Sequence, residues 1–236
     1  MAELTKRLAE LEADIRYQEL PTDSEPEFRY ERGQISILLS APHGAVHMRL
    51  GQRKEEDEYT AGMARLVAEL ADAHVLYARR RSTTDPNWDM DVPYKKRLKQ
   101  IVEQAGIRFV LDLHGAAATR NFGIALGTMK GESCPTQRDI LIQILEQHGF
   151  SQNAAGLDRL DVDNIFTGRG KRGQETIISY VWGRLRIPAA QFELHPYLRV
   201  VERRKDATLP QSFRGESTRI EQTIHALTAI VIGVAQ

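Results

Sequence analysis

Cysteine is nearly absent: Cys134 is the one example among 236 residues. An intrachain disulfide framework and a multi-thiolate zinc site are therefore excluded, and any metal must be held by His, Asp or Glu. Excess charge is missing too. Lys plus Arg equals Asp plus Glu at 32 each, so nothing draws the chain to nucleic acid or an anionic membrane. No apolar run approaches the ~18 residues of a membrane span. The N-terminus alternates charged and apolar residues, unlike a secretory signal. Internal repeats, low-complexity tracts and interdomain linkers are also lacking. The expectation is a single domain over residues 1–236, working in the cytoplasm, with no nucleic-acid or membrane partner. The oligomeric state is left open.

What is present is an ordinary globular composition, 42% hydrophobic and 27% charged, arranged in alternating periods. Leu4, Leu8, Leu11 and Ile15 predict an amphipathic helix at about residues 2–17. Short apolar runs predict strands over 28–32, 35–40, 74–79, 108–113, 122–128, 161–166 and 189–194. Helices are predicted over 57–73, 94–105, 140–147, 176–185 and 217–234. This alternation predicts an α/β domain, a mixed and mostly parallel sheet with helices on both faces.

In such sheets ligands gather beyond the carboxyl ends of the strands. Three ionisable clusters fall there. Pro42-His43-Gly44 follows the 35–40 strand, Asp112-Leu113-His114-Gly115 ends the 108–113 strand, and Glu193-Leu194-His195 ends the 189–194 strand. Two imidazoles and a carboxylate are a common zinc set, with one position left for water. The carboxylate would come from Glu55-Glu56-Asp57-Glu58, although acidic residues at a helix start also suit the dipole. Glu193, within Ala-Ala-Gln-Phe-Glu-Leu, is the candidate general base, since a buried unpaired carboxylate is costly. The alternative is that it faces solvent on an edge strand.

At these residues the chain resembles the N-formylglutamate amidohydrolase family, relatives of the zinc carboxypeptidases. Pro42-His43-Gly44, Asp57-Glu58-Tyr59-Thr60, Asp112-Leu113-His114-Gly115, Asp163-Asn164-Ile165-Phe166-Thr167-Gly168 and Gln191-Phe192-Glu193-Leu194 keep the family's order over residues 35 to 200. The resemblance implies a zinc-carboxypeptidase-like (phosphorylase/hydrolase-like) fold and one zinc ion per chain. The zinc would be held by His43, Asp57 and His114, with Glu193 as base. Glu56 and Glu58 stay open as alternatives to Asp57. Asp112 would orient His114. The implied reaction is hydrolysis of an amide bond in a small N-acyl amino acid or peptide fragment. One departure bears on specificity. The family's Asp-Leu-Asn-Arg element reads Asp85-Pro86-Asn87-Trp88, so its Arg is replaced. Asn87, Lys95, Arg120, Asn164 and Arg199 are the candidate substrate contacts, with Arg97 also considered and Tyr94 or Arg120 as oxyanion support.

Other residues attract blander readings. His47 would share a helix face with His43, but Pro42 and Gly44 argue for a loop there. His74, His148 and His225 read as ordinary histidines. Gly168–Gly173 lacks the Gly-Lys-Ser/Thr ending of a phosphate loop. The competing function is a non-catalytic protein of the same fold that binds a small anionic ligand.

Overall fold

The computed structural model describes residues 3–235. The first helix, α1 (Glu3–Glu12), is shorter than the predicted 2–17, and residue 2 lies outside the described residues. The chain leaves the helix where Glu12 turns inward. Its carboxylate accepts from the Tyr17 hydroxyl at 2.6 Å and from the N–H groups of Tyr59 and Gly62 at 2.9 and 2.7 Å. Ile15 and Tyr17 are still fully buried, but from a non-helical segment.

The remaining elements follow the predicted alternation. They are β1 (Phe28–Glu31), β2 (Ile35–Ala41), β3 (His47–Arg49), β4 (Gln52–Lys54), α2 (Thr60–Ala71), β5 (Ala73–Ala78) and α3 (Pro93–Ala105). Then come β6 (Phe109–Gly115), β7 (Ile124–Gly127), α4 (Arg138–Gln147), β8 (Leu160–Val162), α5 (Ile177–Tyr180), β9 (Ala189–Leu194) and α6 (Ser217–Ala235). The β3–β4 hairpin was not expected from sequence, because three-residue strands carry too little periodicity to register.

Among the described residues, seven strands form one sheet in the order β1-β5-β2-β6-β9-β7-β8. The pairs β2–β5, β2–β6, β6–β9 and β7–β8 are parallel, while β1 and β7 run antiparallel to β5 and β9. Side chains alternate between two cores, as the pleat requires. Ile37, Leu39, Leu111 and Leu113 pack with α1, α2, α4 and α6 on one face. Leu38, Leu76, Val110 and Ala189 pack with α3 and α5 on the other. Helices therefore cover both faces, and no helix of the described residues is long and apolar enough to cross a membrane.

This order positions the site. β2, β6 and β9 are adjacent and parallel, so their carboxyl ends lie side by side. His43, His114 and Glu193 come from those three tips. β9 lies between β6 and β7, so Glu193 is not on an edge strand.

Candidate active site

His43 and His114 meet Asp57 at the strand tips. The two Nδ1 atoms are 3.1 Å apart. Asp57 Oδ2 lies 3.5 Å from His43 Nδ1 and 3.4 Å from His114 Nδ1. Zinc–nitrogen bonds of ~2.0–2.1 Å in a tetrahedron set ligand atoms about 3.3–3.4 Å apart. The three donors thus stand at the spacing of three corners of one coordination sphere, and the donor set is the His/His/carboxylate type that zinc accepts.

The outer nitrogens strengthen this assignment. His43 Nε2 is 2.8 Å from Asp85 Oδ1, and His114 Nε2 is 2.8 Å from Asp112 Oδ2. Both aspartates are fully buried. An imidazole that donates Nε2–H to a carboxylate presents its Nδ1 lone pair inward, which is how metal-ligating histidines are usually oriented. Burial alone would lower both imidazoles. The charges and hydrogen bonds of the surrounding carboxylates, Asp85 and Asp57 at His43 and Asp112 and Asp57 at His114, together outweigh it and raise both above the ordinary histidine value. Burial would likewise raise Asp57, but the two imidazoles hold it well below the usual carboxylate range.

A second grouping, His43, His47 and Asp85, also lies close enough to hold a cation. Within it His43 Nε2 and Asp85 Oδ1 already bond each other at 2.8 Å. His47 instead stacks on the His43 ring at 3.9 Å between centroids. Burial and the neighbouring His43 push it down to about 3, so it packs there as a neutral ring.

Glu193 is paired in register with His114 across β6 and β9, and parallel register partners share a face. On its other side, β7 contributes Ala125, part of a small apolar cluster with Ala116, Phe122 and Phe166. Burial pushes the Glu193 carboxyl up to about 7, although the nearby His114 charge opposes this. Gln191 Nε2 donates to its Oε1 at 2.7 Å.

No protein-family model matches the chain, and no curated protein matches it. Its likenesses are to solved structures. An N-formylglutamate amidohydrolase from Ralstonia eutropha JMP134 superposes with a TM-score of 0.59 at 16% identity, over 89% of this chain and 97% of that one. The chain shares the fold of that amidohydrolase. A gene product from Agrobacterium tumefaciens superposes at 0.55 and 13% identity, over 92% of this chain and 98% of that one. A metallo-carboxypeptidase from Pseudomonas aeruginosa gives 0.49 and 13%, over 98% and 67%. The mixed, mostly parallel α/β fold expected from the sequence is thus one that this chain shares with a solved N-formylglutamate amidohydrolase.

The acidic run is sorted by its bonding. Glu56 accepts from the Thr208 N–H and hydroxyl, both at 2.6 Å, and Glu58 pairs with Arg203 at 2.7 Å. Among Glu56, Asp57 and Glu58, Asp57 is the one facing the imidazoles.

Arg199 does not stand as a free clamp. Its buried guanidinium donates to the carbonyls of Glu58, Leu194 and Ala116. Each carbonyl is one or two residues from Asp57, Glu193 or His114. Gly115 makes this possible, since a Cβ there would come within 2.6 Å of Arg199 Nη2. Gly44 is similarly confined, because a Cβ would sit 2.7 Å from Ala61 Cβ and from the Ala78 carbonyl oxygen. Both His-Gly pairs thus reflect close packing beside a candidate ligand.

The other expected contacts are dispersed. Lys95 is buried and donates to the carbonyls of Asp89 and Glu175, both at 2.6 Å, and to the Glu175 carboxylate. Asn87 Oδ1 accepts from the Ile177 N–H. Tyr94 spends its hydroxyl on the Leu76 carbonyl and Ser40, which removes it as oxyanion support. Arg97 lies over the Tyr30 ring. Asn164 is exposed and bonds Asp161. Arg120 is exposed, with its guanidinium over Phe166 at 5.2 Å, at the rim of the apolar cluster beside Glu193.

Two features escaped the sequence. Asp85 enters the sequence reading only within the Asp85-Pro86-Asn87-Trp88 element, with no role of its own, although an Asp before Pro-Asn suits an Asx turn and its Oδ1 does accept from the Asn87 N–H. The hairpin brings Arg49, Arg53 and Lys54 to a cavity of about 410 Å³ that His43 and Asp57 also line. Three cations in the Arg49–Lys54 stretch were the overlooked signal.

Proposed function

We propose that this chain is a zinc-dependent hydrolase, with one ion per chain, that cleaves the amide bond of a small N-acyl amino acid or a peptide fragment. The observation that supports this best is the approach of His43 Nδ1, Asp57 Oδ2 and His114 Nδ1 to within 3.5 Å of one another. Each imidazole is backed by a buried carboxylate, and Glu193 lies beside them. When bound, zinc supplies a Lewis acid that activates water and polarises the amide carbonyl.

The chain's own residues do the rest. Asp85 and Asp112 fix the imidazole tautomers. Glu193, with a proton affinity near neutrality, takes the proton of the attacking water and passes it to the leaving nitrogen. The apolar cluster of Ala116, Phe122, Ala125 and Phe166 keeps that carboxyl dry. Asp57 carries the negative charge that two neutral imidazoles lack.

Metal analysis of the purified chain, followed by a screen of N-formyl, N-acetyl and N-succinyl amino acids, tests the reading. About one zinc per chain, with hydrolysis of at least one substrate class, is expected. A chain that cannot be loaded with metal would be a non-catalytic protein binding a small anion.

A further inference from the structure

Next to the candidate metal ligands lies a cavity of about 410 Å³, within the range of small-ligand pockets. Its other lining residues are His47, Arg49, Arg53, Lys54 and Glu55. Three cations line it against the carboxylates of Glu55 and the candidate ligand Asp57, an excess of positive charge that favours an anion. The hairpin register sharpens this. His47 pairs with Lys54 and Arg49 with Gln52, so His47, Arg49 and Lys54 share one face of the ribbon, while Arg53 pairs with Met48 on the other. His47 is the residue stacked on His43. The same ribbon face therefore carries two cations towards the metal centre.

Arg49 is held in place from two directions. Its Nε donates to Asp85 Oδ2 at 2.5 Å, and its guanidinium lies over the Trp88 ring at 5.2 Å. Neither terminal nitrogen has a hydrogen-bond partner among the described residues, and the side chain is 29% exposed. A guanidinium anchored through Nε and a ring face, with its two-nitrogen edge free, is arranged for bidentate capture of a carboxylate. Lys54 Nζ, half-buried, reaches only the Gln52 side chain, at 3.4 Å. Arg53 is exposed and bonds Gln18, at the cavity's outer edge.

We infer that the β3–β4 hairpin is the carboxylate-recognition subsite, in which Arg49 and Lys54 grip a free carboxylate of the substrate beside the scissile amide. The inference rests on the amidohydrolase reading and names the substrate class within it: N-acyl compounds with a carboxylate on the His43 side of the metal.

The zinc-loaded chain is titrated calorimetrically with succinate and with the neutral succinamide. Trp88 emission, read in a Trp182→Phe background, reports any movement of Arg49. Lys54→Met is the main variant, since Lys54 touches no residue of the metal centre, and Arg120→Met is the control. The expected result is binding of succinate but not succinamide, a change in Trp88 emission, and weakening by added salt. Lys54→Met should lose about tenfold or more, and Arg49→Met more still, with Arg120→Met unchanged. Equal binding of succinate by Lys54→Met and wild type, equal binding of the neutral probe, or a loss confined to Arg120→Met overturns the subsite. Succinate binding through Lys54 without hydrolysis of any N-acyl amino acid would sink the amidohydrolase reading and leave the subsite standing. Hydrolysis with Lys54→Met unaffected in binding would do the reverse.

Discussion

Glu193 shows how a single residue acquires its chemistry from its neighbours. In water its carboxyl would be ionised well below neutrality. Here burial moves it up to about 7, opposed by the His114 charge. A group that must be ionised to accept a proton loses that ability as pH falls through its pKa, so kcat/KM should decline on the acid side. A bound cation pulls the limb below 7. A pH profile from 5 to 8 checks this, and a rate that climbs as the pH drops would place proton acceptance elsewhere. Glu193→Gln should lower kcat by at least about 100-fold while zinc content stays the same. Asp85 acts through His43. Asp85→Asn should weaken zinc about 10- to 100-fold, as read by competition with a chromophoric chelator. Unchanged affinity would reduce Asp85 to a packing role.

Between elements, the site depends on contacts that bind one segment to another. Helix α2 has no side-chain cap of its own: Tyr59 stands at its start with a positive φ of 64° and no capping bond. Glu12, at the end of α1, supplies what is missing by accepting the N–H groups of Tyr59 and Gly62. This is an N-cap delivered from another helix, two residues from Asp57. Glu12→Ala leaves those donors unpaired and should cost about 2–4 kcal/mol in urea unfolding. The comparison also has a pH signature. Burial raises Glu12 from 4.5 to about 7, so the folded chain binds that proton more tightly than the unfolded one. The Glu12 contribution is full below 4.5 and diminishes as pH rises through 7. The wild type's advantage over Glu12→Ala should therefore shrink between pH 4.5 and 7. Arg199 plays the corresponding part at the strand tips, where one guanidinium joins three carbonyls. Arg199→Lys keeps the charge but cannot span them. It should lower both thermal stability and zinc affinity, and a loss of stability alone would limit Arg199 to holding the fold.

For the molecule as a whole, a bound metal would act as a link between folding and site assembly. The candidate ligands come from the loop after β2, the segment leading into α2 and the end of β6, which converge only in the folded state. Free zinc at about 1,000 times its Kd would add about 4 kcal/mol to stability, or roughly 8–16 °C in Tm for a chain of this size. Calorimetry with and without a chelator measures it, and an unchanged Tm would argue against a metal site. His43 and His114 are raised by their aspartates, so protons compete with the ion and the increment should fade as pH drops. The alternation of apolar runs in the sequence was enough to determine the α/β class, both helical layers and the strand-tip location of His43, His114 and Glu193, because periodicity is a local property that the pleat and the helix read directly. The folded structure alone decided which acid of residues 56–58 faces the imidazoles, that Asp85 backs His43, that Arg199 and Lys95 are spent on carbonyls, and that a short hairpin lays cations beside the centre. Those are matters of how segments pack, some of them as far apart as His43 and Asp85 or Glu58 and Arg199, and apolar periodicity does not encode them.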